Sequence, residues 1–303
     1  MKIRIATRLS PLAILQTKEV IKKIQHHDPT CICEIIKIES DGDQTDRPLH
    51  MIGGKGLFVS KLEQALCNDI ADIAVHSLKD VPASLDKKFK IVATLPREDV
   101  ADVLLLKNKF NRGDLSKNLK IATSGPRRKA QLLGINSSFT IVPIRGNIQT
   151  RIDKMTSEKL DGLIVAKAAL NRLKISHPNI YIFSEEEMLP AAAQGAIGIE
   201  VIEENIETKT NNLLKSINDN LTFQATEIER TVVAALQGNC LSPISALCKI
   251  RDEDVELKVR VSNQKGSEVY DQKEIFTLDN KIQALEDFVG KLINNGAKML
   301  IQN

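Results

Sequence analysis

The sequence contains no tryptophan, and aromatic residues make up only 3% of its 303 positions. Stacked bases would find few platforms here, which disfavours nucleic acid as a partner. An excess of one charge is also lacking: 42 Lys and Arg stand against 39 Asp and Glu, a net +3. No global field recruits nucleic acid or an anionic membrane, so any preference for anions must come from locally clustered Arg and Lys. The five cysteines, Cys31, Cys33, Cys67, Cys240 and Cys248, form no CxxC and no Cys/His ligand spacing. That argues against a disulfide framework and against a structural zinc site, and no metal is expected. No apolar stretch approaches the ~20 residues of a spanning helix. The N-terminal "MKIRIATRLSPLAILQ" has no apolar run of roughly 7–15 residues ahead of a small-residue cleavage site. A cytoplasmic, reduced protein without a membrane partner is the expectation.

What is present is an ordinary globular balance, 42% hydrophobic and 27% charged, in a chain long enough for two or three domains. "KIRIAT" (2–7) reads as a buried strand. Ser10 and Pro11 then start a helix over "PLAILQTKEVIKKI", an N-cap hydroxyl followed by proline in the first turn. "LKIATSGPRRKAQLL" (119–133) repeats the plan, with "IAT" and an arginine near the helix start in both. "LFVSKLEQALCNDIADIAVHSLKD" (57–80) reads as helix, strand and polar loop; "RIDKMTSEKLDGLIVAKAALNRL" (151–173) reads the same way, ending on Lys167 and Arg172. Each is preceded by a Gly-containing turn beside a cation, "GGKG" (53–56) and "RGN" (145–147). The pattern predicts two successive α/β domains of similar topology, with mainly parallel sheets whose ligands sit beyond the strand C-termini. "LPAAAQGAIGIEVI" (189–202) is a crossing or return strand, and the charged stretch after it a helical connector. Strict alternation in "VELKVRV" (255–261), with "SNQKG" as the turn, predicts an antiparallel hairpin with one wet face. A final helix places Ile282, Leu285, Val289, Leu292 and Ile293 on one side. The third domain is therefore small and α+β.

The polar groups are not evenly spread. His76, Ser77, Lys79 and Asp80 crowd the end of an apolar strand, and Arg127, Arg128, Arg145, Arg151 and Arg172 gather in the second α/β domain. Most of these arginines fall at loops or helix starts, where they strengthen an anion site at the expense of the helix. Their planar guanidinium groups bind carboxylate or phosphate in bidentate fashion. For any single one, a solvated surface charge is the competing reading. "GGKG" lacks phosphate-loop spacing and no G-x-G-x-x-G follows a strand, so nucleotide binding fares poorly. "GNCLSPI" (238–244) places Cys240 in a loop; most cysteines are buried and inert, but a Gly-containing loop favours a reactive one. Cys31 and Cys33 are read as lying on opposite faces of a strand, core filler and its neighbour. His76 is read as a structural histidine bonded to backbone rather than a catalytic one.

Together "IATRLSPLA", "GGKGLFV", "AVHSLKDVP", "PIRGNIQTR", "AAAQGAIGIE" and the Cys240 loop resemble the hydroxymethylbilane synthase (porphobilinogen deaminase) family. They run in the family's order from residue 3 to about residue 246. The resemblance implies two periplasmic-binding-protein-like, doubly wound α/β domains with the active cleft between them, plus a small α+β C-terminal domain. The expected division is 1–95 with 195–214, then 100–190, then 216–303. It also implies a dipyrromethane cofactor joined by a thioether to Cys240, and a monomer that condenses four porphobilinogen molecules with release of ammonia. By motif position the catalytic carboxylate is Asp80. Lys55, Ser77, Lys79, Ser124, Arg127 and Arg128 would hold the cofactor together with Cys240 and Asp80. Arg8, Ser10, Arg97, Arg145, Arg151, Arg172 and Gln194 would serve the substrate and growing chain. The chemistry suits these types. Loss of ammonia leaves a pyrrole-stabilised cation that a nearby carboxylate stabilises, a thiolate forms a durable thioether, and every added ring brings two carboxylates.

The chain departs from the family pattern in places. Gly125 stands where a second serine is usual, Met51 where a lysine is common, and the loop reads "GNCLSPI" rather than "GGCQVPI". Two alternatives stay open on the residues alone: a two-domain solute-binding protein whose arginines clamp a small anion, and an inactive relative that keeps the fold.

Overall fold

Ser10 joins strand β1 (Lys2–Arg8) to helix α1 (Pro11–His27) as expected; its Oγ accepts the Ala13 N–H at 3.3 Å and Pro11 fills the first turn. The structure, a computed structural model, describes residues 1–39, 59–109, 112–239 and 241–302. The chain divides into two compact units, Met1–Glu98 with Gln194–Gln224, and Asp99–Ala193 with Ala225–Asn303.

The first unit adds β2 (Ile32–Ile38), α2 (Ser60–Cys67), β3 (Ile73–Ser77), β4 (Phe89–Thr94), β10 (Ile197–Ile202) and α6 (Thr208–Ser216). Its sheet order is β2-β1-β3-β10-β4. Ile3, Ile5, Val75, Ile199 and Val201 face α1 and α6. On the other face Ala6, Ala74 and Ile202 meet Leu62, Ala65 and Leu66 of α2. Both faces are covered, which is why these strands are apolar on both sides.

The second unit carries the matching sheet: β5 (Asp102–Leu106), β6 (Lys120–Ala122), α3 (Pro126–Ile135), β7 (Thr140–Val142), α4 (Ile148–Ser157), β8 (Gly162–Ala166), α5 (Lys167–Leu173) and β9 (Ile180–Ile182). Its order, β7-β6-β8-β5-β9, reproduces the first sheet position by position. The short "IAT" repeat is thus the trace of a repeated topology, β1–α1–β2 against β6–α3–β7.

Alternating strands and helices predict mainly parallel sheets, yet each sheet pairs two neighbours parallel and two antiparallel. β10 runs against β3 and β4, and β5 runs against β8 and β9. In both, the odd strand enters from the edge where the parallel strands end: Ile197 pairs with Ser77, and Asp102 with Ala166.

The second unit also holds an antiparallel sheet of β11 (Ile244–Arg251), β12 (Asp254–Ser262) and β13 (Val269–Thr277). It packs against helices α7 (Asn220–Ala235), α8 (Lys281–Asn294) and α9 (Ala297–Gln302). The expected hairpin is present, and β11 extends it. The last apolar helix face needs correcting. Phe288 and Leu292 are fully buried, with Leu285 and Val289 beside them, whereas Ile282 is 71% and Ile293 41% exposed. The covered face runs through Leu285, Phe288, Val289 and Leu292; Ile293, about a hundred degrees round the helix from Leu292, and Ile282, in the first turn, stay in solvent.

Two side-chain expectations also need correcting. His76 is paired with a side chain and, among the described residues, not with backbone; its ring Nε2 lies 2.9 Å from Glu200 Oε2, and both side chains are buried. Cys31 and Cys33 share a side, as a period of two requires. The Cys33 thiol is pushed up to about 12, chiefly by burial and further by its contact with Cys31, which keeps it protonated and inert. Among the described residues no helix is long and apolar enough to cross a membrane, and no cluster of ligating side chains could hold a metal.

The third sheet is fastened to the second through α3. Gln131 bonds both Leu189 backbone atoms and Ser245 Oγ, and Arg260 Nη1 donates to its Oε1 at 3.0 Å. Glu185 lies between Lys249 (2.5 Å) and Lys258 (3.0 Å); burial raises its pKa, but the two lysines bring it below the usual carboxylate range. The β12–β13 turn touches α3 at Gly266, where φ is +67° and a Cβ would lie 1.9 Å from the Ala130 carbonyl oxygen. No side chain fits there without moving backbone. Gly266→Ala is expected to lower unfolding stability by at least about 2 kcal/mol, measured by urea denaturation; an unchanged midpoint would show that this contact is not tight.

Candidate functional site

In the first unit the site residues collect where β1 and β3 end. Arg8 is the last residue of β1 and Ser10 the cap of α1. Ser77 closes β3 and donates its hydroxyl to Gln16 Oε1 at 2.9 Å. The chain then makes one 3-10 turn, Leu78–Asp80. Leu78 is buried and pins the turn, Lys79 is half-buried and Asp80 is exposed. The turn is held to the residue before β10, since Leu78 N–H donates to the Ala196 carbonyl at 3.0 Å.

That attachment brings in Gln194. It is fully buried, its Oε1 accepts from Lys79 Nζ at 3.1 Å, and its carbonyl accepts from Arg97 Nε at 2.8 Å. Gln194 therefore steadies two of the expected cations, and its side chain does not reach solvent. Arg97 is further fixed by its own N–H, which donates to Thr222 Oγ1 at 3.0 Å.

In the second unit Arg127 and Arg128 occupy the first turn of α3, as the sequence suggests. Their partner is a residue that the motifs do not single out. Asp102, fully buried, accepts from Arg127 Nη2 at 2.7 Å through one oxygen, and from Arg128 Nε at 2.9 Å and Nη2 at 2.7 Å through the other. Arg127 Nη1 also donates to the Leu189 carbonyl at 2.7 Å. Burial draws the pKa of Arg127 down and Asp102 opposes it, with a net lowering; a guanidinium remains charged all the same. One sequence signal could have revealed Asp102. It leads the wholly apolar run "VLLL", and an acid is almost never fully buried unless paired.

Around the "RGN" turn, backbone bonds fix the loop and one of its arginines. Ser124 Oγ donates to the Ile144 carbonyl at 2.5 Å and accepts the Ile144 N–H at 2.9 Å, fixing the loop that carries Arg145. Arg151 Nε donates to the carbonyl of Gly146, whose φ of +108° makes the "RGN" turn. Arg172 is in the last turn of α5, not at a helix start, so it complements the helix dipole instead of opposing it. Lys55, Met51 and Cys240 lie outside the described residues. Among the described neighbours of Cys240, Leu241 N–H donates to Asn239 Oδ1 at 2.8 Å, and Asn239 N–H donates to Ser242 Oγ at 3.1 Å.

Residues 3–210 match the family model described as "Porphobilinogen deaminase, dipyromethane cofactor binding domain", and residues 223–292 match the C-terminal domain model of the same family. The chain belongs to the porphobilinogen deaminase family. A porphobilinogen deaminase from Rickettsia bellii is 38% identical over 276 residues, spanning 90% of this chain and 91% of that protein. One from Clostridium botulinum is 44% identical over 250 residues, 82% of this chain and 84% of that protein. Among solved structures, the periplasmic aliphatic sulphonate binding protein of Escherichia coli aligns at a TM-score of 0.42 and 11% identity, covering 78% of this chain and 70% of that one. That likeness is too distant to bear on function.

The residues present fit the family's cofactor. Two guanidinium groups beside one carboxylate leave a local positive charge in the domain that the family model assigns to dipyrromethane binding. The departure at Gly125 leaves room for the usual residue. Gly125 is the N-cap of α3 with no side-chain cap, and a Cβ there would meet nothing closer than Arg128 Cδ at 3.9 Å. Gly125→Ser is expected to raise stability by a few tenths of a kcal/mol through the restored cap. Thermal denaturation checks this, and a fall of the midpoint would mean that the cap position is already strained.

Proposed function

We propose that this chain condenses four porphobilinogen molecules into hydroxymethylbilane, with release of an ammonia at each step, on a dipyrromethane attached to Cys240. The observation that carries this is the match of both family models across residues 3–210 and 223–292. The dipyrromethane supplies a covalent primer that keeps the growing pyrrole chain on the protein. The final hydrolysis frees the linear tetrapyrrole. We further propose a monomer acting in the cytoplasm, with three domains at 1–95 with 195–214, 100–190 and 216–303.

The roles of the side chains follow from their settings. Asp80 is exposed at the end of a turn that Leu78 holds to the sheet, so its carboxylate can approach a bound ring while its backbone stays fixed. There it stabilises the cation formed as ammonia departs and moves protons to and from the pyrrole. Lys79, steadied by Gln194, and Ser77 carry cofactor carboxylates along with Ser124, Arg127, Arg128 and Lys55. Arg8, Ser10, Arg97, Arg145, Arg151 and Arg172 receive the acetate and propionate groups of substrate and product chain. Gln194 acts from beneath, through Lys79 and Arg97. The guanidinium groups suit this because each carboxylate can be met by two parallel N–H donors.

Two measurements test the reading. Intact mass of the purified protein should exceed the chain mass by a dipyrromethane, and Cys240→Ala should abolish the excess. Asp80→Ala should keep the added mass and lose about 10²-fold or more in turnover of porphobilinogen. A bare chain mass in the wild type would point to a binding protein, and near-normal turnover in Asp80→Ala would remove that carboxylate from the chemistry.

A further inference from the structure

Asp102 is not among the groups that the family motifs assign to the site, yet three of its hydrogen bonds go to the paired arginines. Its place comes from strand direction. β5 enters the sheet against β8, so its first residue lies opposite Ala166, at the edge where β8 ends, level with the start of α3. Each carboxylate oxygen faces a different guanidinium group, which fixes their spacing and planes. Side-chain exposure is 0% for Asp102, 9% for Arg127 and 12% for Arg128. Two cations and one anion leave this poorly hydrated trio one negative charge short. Burying charge without a full counter-charge is costly, so the trio is best completed by a further anion. Both arginines also sit at a helix N-terminus, where the macrodipole favours an anion again.

We propose that Asp102 is a positioning residue of the cofactor site, holding Arg127 and Arg128 as a preset pair that takes one carboxylate of the dipyrromethane. The inference rests on the reading that these arginines hold the cofactor. It assigns to Asp102 both the geometry of the pair and the count of charges: without Asp102 the pair repels itself, and with it the trio needs a single carboxylate to be neutral.

The test compares wild type, Asp102→Asn, Asp102→Glu and the double variant Arg127→Met/Arg128→Met, each purified as folded protein. Intact mass reads the fraction of chains carrying the cofactor. Steady-state kinetics with porphobilinogen read kcat per loaded chain and KM. Asp102→Asn should lower the loaded fraction of folded chains at least fivefold, and a smaller loss would overturn the proposal. If Asp102→Asn does not fold, Asp102→Glu decides, because it keeps the charge and displaces it by one methylene. Its kcat per loaded chain should then fall at least fivefold with KM within twofold of wild type; a smaller loss, or a change confined to KM, would overturn it. A merely structural Asp102 would lower stability without this split. Normal loading of the arginine double variant would defeat the parent reading itself. Loss of cofactor in the arginine variant with normal loading in Asp102→Asn would defeat the inference alone.

Discussion

Two guanidinium groups in the first turn of one helix oppose that helix's dipole and each other, and their arrangement in the second unit depends on the buried carboxylate that holds them there. Asp102 contributes both counter-charge and geometry, since one of its oxygens engages Arg127 and the other is shared by two donors of Arg128. A mobile surface acid could not do this, because screening and side-chain entropy would erase most of the gain. At zero exposure the interaction is strong and the arrangement has little freedom.

The same construction recurs in the first unit with a neutral residue. Gln194 precedes β10 as Asp102 opens β5, and in both cases the strand descends against the parallel strands. Each therefore delivers a buried polar side chain to the edge where the parallel strands end. In one unit that side chain steadies Lys79 and Arg97, in the other Arg127 and Arg128. The repeated topology thus yields two cation-bearing edges, each with a rigid support beneath it. Asp80 differs from all of these in being exposed. The cations are held in place and the carboxylate is accessible, a division that agrees with the roles proposed for them.

Within the second unit, contacts between α3 and the third sheet fasten the strand that follows residue 240. Gln131, Arg260 and Gly266 leave little freedom between the helix that carries the arginines and the strand that succeeds the Cys240 loop. Glu229 adds to this from α7. Its two oxygens accept the N–H groups of Ala193 and Cys248, tying the segment ahead of Gln194 to β11. Just ahead of β11, Asn239 and Ser242 bond each other through backbone and hydroxyl.

Much of this was legible in the residues alone. Local signals such as the Ser10–Pro11 start, the "IAT" repeat, the alternation of 255–261 and the strand before His76 act over a few residues, and they produced the elements they predict. The polar turn ending in Asp80 was readable for the same reason, since the strand and the polar residues that end it are adjacent in the chain. What escaped depends on partners far apart in the chain. The antiparallel strands, the Glu200 partner of His76, the burial of Gln194 and the pairing of Asp102 with two arginines 25 and 26 residues away exist only once the sheets are assembled. Periodicity can state that a strand forms, but not which way its neighbour runs. Sequence by itself therefore determined the secondary elements and the types of group at the site. Tertiary structure alone decided which buried polar residue supports each of them, because a lone charge or amide can stay in a core only when folding brings its counterpart to it.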